Sequence, residues 1–198
     1  MNKAKEDAMI TRQTILDAAF KCFFEKGFRM TSLDMIAKEA SVTRGAVYWH
    51  FKDKSDLYRE VVKNTLYEND VVQFAHSLPI STKYEDRLFE IFWYSQNGND
   101  KIVFIYKALN LVTQIEEFAD LKEAIQLEKI KLFRYFTEET RMHIQQNKIQ
   151  TERDAEDYAS VLFLFFEGLF LMKNISVGLK KDRKHIEEYI KIIINDLI

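Results

Sequence analysis

Proline and glycine are scarce in this chain: its 198 residues include one Pro and five Gly. Because proline breaks helices and glycine weakens them, so low a content favours long helices over a fold built from many turns. Apolar residues make up 47% and charged residues 30%, enough for a packed core and a solvated surface. We therefore expect an all-α protein.

The glycines and histidines are spaced too widely for the common catalytic motifs. No two glycines lie closer than ten residues, whereas phosphate-binding loops, dinucleotide fingerprints and nucleophile elbows need closely spaced glycines. The four histidines do not pair at helical spacing, and Cys22 is the only cysteine, so zinc-type spacing is missing. We predict that the protein is not an enzyme and binds no metal or cofactor. A catalytic site would have to be formed by residues that lie far apart in the sequence.

The single cysteine is typical of a reducing cytosol, since it has no partner for an intrachain disulfide. Residues 1–12 lack the apolar segment of a secretory signal. The most apolar stretch, residues 158–172, is too short and too polar for a transmembrane helix. We expect a cytoplasmic protein. Its net charge of −2 gives by itself no sign of nucleic-acid binding.

The first 53 residues carry the pattern of three helices. Apolar residues recur at helical spacing over 15–23, and Gly27 suits the end of that helix. Thr31 and Asp34 form a capping pattern for a short second helix. A turn of a few residues then leads to another short helix over 43–51. Two short helices joined by a tight turn are typical of a helix-turn-helix.

The outward face of the third helix is unusual for a solvated surface. At 100° per residue, Arg44, Gly45, Tyr48 and Trp49 spread over an arc of about 140°. Such a face suits contact with nucleic acid: Arg44 can hold guanine with two hydrogen bonds, and Gly45 permits close backbone approach. Thr43, Tyr48 and His50 can donate to phosphates.

A long fourth helix is expected over 54–76, capped by Asp53 and Asp56. Lys54 lies in its first turn, where a cation is electrostatically unfavourable. A bound phosphate would remove that conflict, so we predict that Lys54 contacts DNA.

Five segments carry a family resemblance: TRQTILDAA at 11–19, EKGF at 25–28, TS at 31–32, IA at 36–37 and VTRGAVYWHFKDK at 42–54. Together they strongly resemble the DNA-binding domain of the TetR family of bacterial transcriptional repressors, and residues 43–57 look most like its AcrR-like branch, which represses multidrug efflux pumps. Ser41 stands where the family pattern usually has Gly, which suits a positive φ at a helix end.

The resemblance implies a homodimeric, all-helical repressor of about nine helices, with a helix-turn-helix DNA-binding domain over 1–53 and a ligand-binding and dimerisation domain over 54–198. The predicted partners are double-stranded palindromic operator DNA and a lipophilic small-molecule effector. A more specific hypothesis is that this effector is cationic. The predicted DNA-binding residues are Thr31, Ser32, Thr43, Arg44, Gly45, Tyr48, Trp49, His50 and Lys54.

Further helices are expected near 82–96, 100–112, 119–147, 153–175 and 182–197. The breaks between them are placed at Pro79, Gly98, Asn147 and Gly178.

Aromatic residues crowd this second region, and the resemblance implies a pocket between its middle helices. Core packing is the alternative for each ring taken singly. Glu167 is the odd carboxylate in an apolar helix. Either it lies at a solvated edge of the dimer or pairs with a polar group, or it serves as counter-charge for a cationic ligand. The predicted ligand-binding residues are Phe89, Phe92, Trp93, Phe104, Phe133, Phe136 and Glu167.

The helices near 153–175 and 182–197 are predicted to form a four-helix dimer interface, because residues 161–172 are apolar almost all round. A buried central helix in a monomer is the alternative. The leading function is ligand-responsive repression of an efflux or transport gene. An activator remains open, as does an interaction module or enzyme with an architectural helix-turn-helix.

Overall fold

The computed structural model describes residues 3–96, 100–146, 154–171 and 182–197. Within these ranges the chain is helical and contains no strand, which confirms the predicted all-α class. The helices are α1 Lys3–Met30, α2 Leu33–Glu39, α3 Arg44–His50, α4 Lys54–Glu68, α5 Val71–Ser77, α6 Tyr84–Gln96, α7 Asp100–Val112, α8 Ala119–Gln145, α9 Ala155–Leu171 and α10 Arg183–Leu197, with a 3₁₀ turn at Glu116–Phe118 before α8.

One predicted helix boundary is wrong. The single helix expected over 54–76 is two helices, α4 and α5, which explains why the described ranges hold ten α-helices instead of about nine. Asp70 begins the second one: its carboxylate accepts hydrogen bonds from the amides of Val72 at 2.9 Å and Gln73 at 3.0 Å. An aspartate that caps the following turn ends the preceding helix without any Pro or Gly.

The other predicted breaks are partly covered by the described residues. Pro79 lies between α5 and α6, as expected. Gly98, Asn147 and Gly178 lie outside the described residues, as do residues 172–175 of the predicted dimer helix. Gly27 interrupts α1 with a φ of 75°, which agrees with its predicted place at a helix end.

The chain divides into two compact units. The first comprises the described residues within 1–68 and 100–124. Its core is a cluster of rings around Tyr58, whose centroid lies 5.0 Å from those of Phe23 and Phe28 and 5.3 Å from that of Phe118. These rings hold α1, α4 and the 3₁₀ turn together. The predicted functional boundary at residue 53 is a different division of the chain and stays a prediction.

The second unit comprises the described residues within 69–99 and 125–198. Phe92 of α6 stacks on Phe136 of α8 at 6.0 Å and meets Phe166 of α9 at 5.5 Å. Arg183 of α10 donates a hydrogen bond of 2.8 Å to Glu90 of α6. Aromatic packing in the interior and this ion pair at the surface hold α6, α8, α9 and α10 together. Within the described residues, no helix is long and apolar enough to cross a membrane.

Candidate nucleic-acid interface

A tight turn separates α2 from α3. Ser41 has a φ of 55°, the left-handed conformation that favours glycine. The amide of Val42 donates to the carbonyl of Ala37 at 3.0 Å, and that of Ser41 to the carbonyl of Lys38 at 3.2 Å, which closes the end of α2. The turn therefore has the geometry expected at this point, although a serine occupies it.

The two short helices begin at hydroxyl caps. Ser32, instead of the expected Thr31, caps α2 by accepting a hydrogen bond from the amide of Met35 at 3.2 Å. Thr43 caps α3 by accepting from the amide of Ala46 at 3.1 Å. Both caps satisfy amides that would otherwise have no partner at a helix start.

The faces of α3 divide as the sequence predicts. Val47 is fully buried and Phe51, which follows the helix, is buried as well. Trp49 is 72% exposed and Tyr48 is 45% exposed, and Arg44 and Gly45 are exposed beside them. Two large aromatic side chains on the open face of a seven-residue helix are costly to leave in water, so this face is suited to a partner surface.

Arg44 is held in place by neighbours on both short helices. Its Nη1 lies 3.1 Å from the carboxylate of Asp34 in α2, and its Nη2 donates to the hydroxyl of Tyr48 at 3.1 Å. The guanidinium also lies 5.4 Å from the centre of the Tyr48 ring. Asp34 thus belongs to this surface, whereas the sequence predicted only a capping role for it.

The polar groups of Thr31 and Lys54 form hydrogen bonds to backbone carbonyl oxygens. The buried hydroxyl of Thr31 donates to the carbonyl oxygens of Cys22 at 3.1 Å and Gly27 at 2.8 Å. The ammonium of Lys54 donates to the carbonyl oxygens of Phe28 and Thr31, both at 3.0 Å. Those carbonyls remove the electrostatic conflict at the start of α4, so no phosphate is needed to explain Lys54.

Gly45 and His50 complete the predicted surface. A Cβ added at Gly45 would meet no atom closer than the Thr43 hydroxyl at 3.8 Å, so the backbone there is open to close approach. Burial, and then the nearby positive charge of Arg12, lowers the pKa of His50. The imidazole is therefore neutral at pH 7 in the absence of a phosphate.

The predicted ligand-binding residues are divided between the two compact units. Phe104 lies in the first unit, where its ring meets Phe20 at 5.2 Å. The others belong to the second unit, and there the carboxylate of Glu167 forms an ion pair with Lys129. That pairing is one of the two alternatives that the sequence left open. The rings in the second unit pair within it as Phe89 with Trp93, Phe92 with Phe136, and Phe133 with Phe163.

The fold and this surface define a class: an all-helical protein with a helix-turn-helix near its N-terminus, followed by further helices. The family model described as bacterial regulatory proteins, tetR family, matches residues 15–61. This N-terminal region is therefore similar to the TetR family, in agreement with the resemblance carried by its sequence.

Individual relatives show the same similarity. The HTH-type transcriptional regulator AcrR of Shigella flexneri is 59% identical over 59 residues, which cover 30% of this chain and 27% of AcrR. The match thus spans little more than a quarter of AcrR's own length. The HTH-type transcriptional repressor BepR of Brucella suis biovar 1 (strain 1330) is 25% identical over 175 residues, 85% of this chain and 82% of BepR.

A solved structure extends the likeness in fold to the whole chain. The crystal structure of NalD from Pseudomonas aeruginosa has a TM-score of 0.67 at 24% identity, covering 96% of this chain and 98% of NalD. At this level of identity the likeness concerns the fold.

Proposed function

We propose that the protein is a transcriptional repressor that binds palindromic operator DNA as a homodimer and is released by a lipophilic small molecule. It has no catalytic activity in this proposal, and the gene that it controls encodes an efflux or transport protein. The observation that carries the proposal is the exposed face of α3, where Arg44, Tyr48 and Trp49 project from a helix-turn-helix.

The names of the relatives support repression and efflux. BepR is named a transcriptional repressor, and NalD is described as the secondary repressor of the MexAB-OprM multidrug efflux pump. The match to AcrR covers only 30% of this chain, so the control of an efflux gene rests on the names of these relatives.

Seven residues would contact DNA. Arg44 would read a base edge, most favourably guanine, and Tyr48 and His50 would position the protein on phosphates. Thr31 and Lys54 are left out because packing already engages their polar groups. The proposed contact residues are Ser32, Thr43, Arg44, Gly45, Tyr48, Trp49 and His50.

An electrophoretic shift with the DNA upstream of the protein's own gene tests the proposal. A specific complex should form with a Kd of about 10 nM or tighter and survive an excess of unrelated duplex. A transcription assay on the same DNA should show less transcript when the protein is added. Equal affinity for both duplexes would contradict operator binding, and more transcript would make the protein an activator.

A further inference from the structure

A groove of about 450 Å³ lies within the first unit, where the end of α1 faces α7. The buried rings of Phe23, Tyr58 and Phe104 form its floor. Phe24 and Phe28 border it and are only half-buried, so part of each ring remains open to water. A concave site with aromatic walls suits a small organic molecule that has an apolar body.

Positive charges line the same groove. Lys26 and Arg29 of α1 and Lys107 of α7 contribute to its wall, together with one carboxylate, that of Glu25. All four side chains are exposed, and none of them forms an ion pair with another residue in the described ranges. Three cations against one carboxylate favour an anion over a cation as the ligand.

Lys107 brings a positive charge next to an aromatic ring. Its ammonium donates a hydrogen bond to the carbonyl oxygen of Phe24 at 3.2 Å and lies 4.3 Å from the centre of the Phe24 ring. An ammonium has three donors, so two remain for a ligand. An anion that accepts from Lys107 therefore lies beside apolar surface, as the two ends of an amphipathic molecule require.

Tyr58 supplies a neutral donor to the groove. This residue is 3% exposed, and its hydroxyl forms no hydrogen bond with any residue that the structure describes. Burial raises the pKa of Tyr58, so the hydroxyl keeps its proton at neutral pH. Because a buried hydroxyl without a partner is costly, an anionic oxygen in the groove would be stabilised by accepting this hydrogen.

We infer that this groove binds an aromatic carboxylate or sulfonate. The anionic group pairs with Arg29 and Lys107 and accepts a hydrogen bond from Tyr58. The aromatic body packs against Phe24 and Phe28, which a bare phosphate would leave in water. The inference does not depend on the proposed function, because this binding is measured without DNA.

Fluorescence titration of the full chain with anilinonaphthalene sulfonate tests the inference. Phenylnaphthylamine has the same rings without the sulfonate, and both compounds brighten in apolar surroundings. Wild type should bind the sulfonate saturably, and the double variant Arg29→Gln/Lys107→Gln should bind it about tenfold more weakly because two cations are lost. Both proteins should bind the uncharged amine alike.

Lys122→Gln is the matched control, since it removes an exposed lysine from α8 in the same unit. It should bind the sulfonate as wild type does. Undiminished sulfonate binding by the double variant would overturn the inference, and so would an equal loss of binding for the uncharged amine.

Two further variants locate the site. Tyr58→Phe should weaken sulfonate binding about tenfold or more without lowering thermal stability, because the hydroxyl has no partner to lose. Leu111→Trp fills the groove and keeps every charge, so it should abolish binding of both compounds, with cooperative thermal unfolding as the check that it is folded. Wild-type sulfonate affinity in either folded variant would show that the anion binds elsewhere and would refute the inference.

Discussion

Asp34 brings a negative charge to a surface that is proposed to meet DNA phosphates. Its pairing with Arg44 orients the guanidinium, but its charge repels the DNA backbone. Such a residue lowers affinity for every sequence, and the loss is compensated only where Arg44 finds its base. We therefore regard Asp34 as a determinant of specificity.

Replacement of Asp34 by Asn should strengthen binding to unrelated DNA, because it removes the repulsion between this carboxylate and the phosphates. The gain should be about fivefold at most, since interactions between exposed charges are worth up to about 1 kcal/mol. The preference for the operator over unrelated DNA should fall. Fluorescence anisotropy with both duplexes measures the two affinities. Glu39→Gln, which removes an equal charge from the other end of α2, is the control and should change the preference little.

Lys54→Ala should lower the free energy of unfolding by about 1–3 kcal/mol, because it removes two hydrogen bonds to carbonyl oxygens and a contact with the Phe28 ring at 4.4 Å. Urea denaturation measures this loss, with exposed Lys52→Ala as control. A variant of unchanged stability whose DNA binding has a shallower salt dependence would contradict this account and support the phosphate contact predicted from the sequence.

The exposure of single side chains was predictable where it depends on the outward or inward face of one helix, as at Arg44, Val47 and Trp49. The hydrogen bonds of Thr31 and Lys54 were not predictable, because their partners come from α1 and the segment that follows it.

The turn between α2 and α3 carries strain that can be removed. A non-glycine residue at a φ of 55° is disfavoured by contacts of its Cβ. Ser41→Gly should therefore raise the free energy of unfolding by about 0.5–1 kcal/mol, less than the full steric cost because glycine also gains freedom in the unfolded chain. Ser41→Val should lower it. Thermal unfolding of both variants measures the effect, and a destabilised Ser41→Gly would contradict this account of the turn.

Helix boundaries were predictable from local capping signals and were missed where the signal is weak. The amide of Asp56 donates to the carboxylate of Asp53 at 2.8 Å, as the predicted capping pair requires. The boundary at Asp70 was missed because no Pro or Gly marks it. An aspartate within a helical pattern is ambiguous, since it can also lie on a solvated face.

At the scale of the whole molecule, composition and spacing sufficed for the helical class but not for the grouping of the aromatic residues. A high content of aromatic residues predicts that the rings are buried, but it does not predict which rings contact each other. Phe104 joins Tyr58 in the first unit, and Phe92 joins Phe136 in the second. Only the packing of helices distant in sequence decides between such clusters.

The proposed dimer depends on α9 and α10, which carry apolar residues exposed in the single chain. Leu164 of α9 is 70% exposed and Ile192 of α10 is 56% exposed. Leu164→Glu should yield a monomer and weaken operator binding by at least about a hundredfold, because the two half-sites can no longer be bound together. Analytical ultracentrifugation measures the assembly. Leu127→Glu, at a half-exposed position on α8, should remain dimeric, and a dimeric Leu164→Glu would exclude this interface.

The central claim is that α3 reads DNA sequence through Arg44. The direct measurement is the affinity of wild type and Arg44→Ala for a set of operators that differ at single base pairs, with Lys122→Ala on α8 as a charge-matched control. Arg44→Ala should lose about 1–3 kcal/mol of discrimination at one position and bind all bases there alike, whereas Lys122→Ala should keep the wild-type preference. An Arg44→Ala protein with the full wild-type preference at every position would contradict the claim.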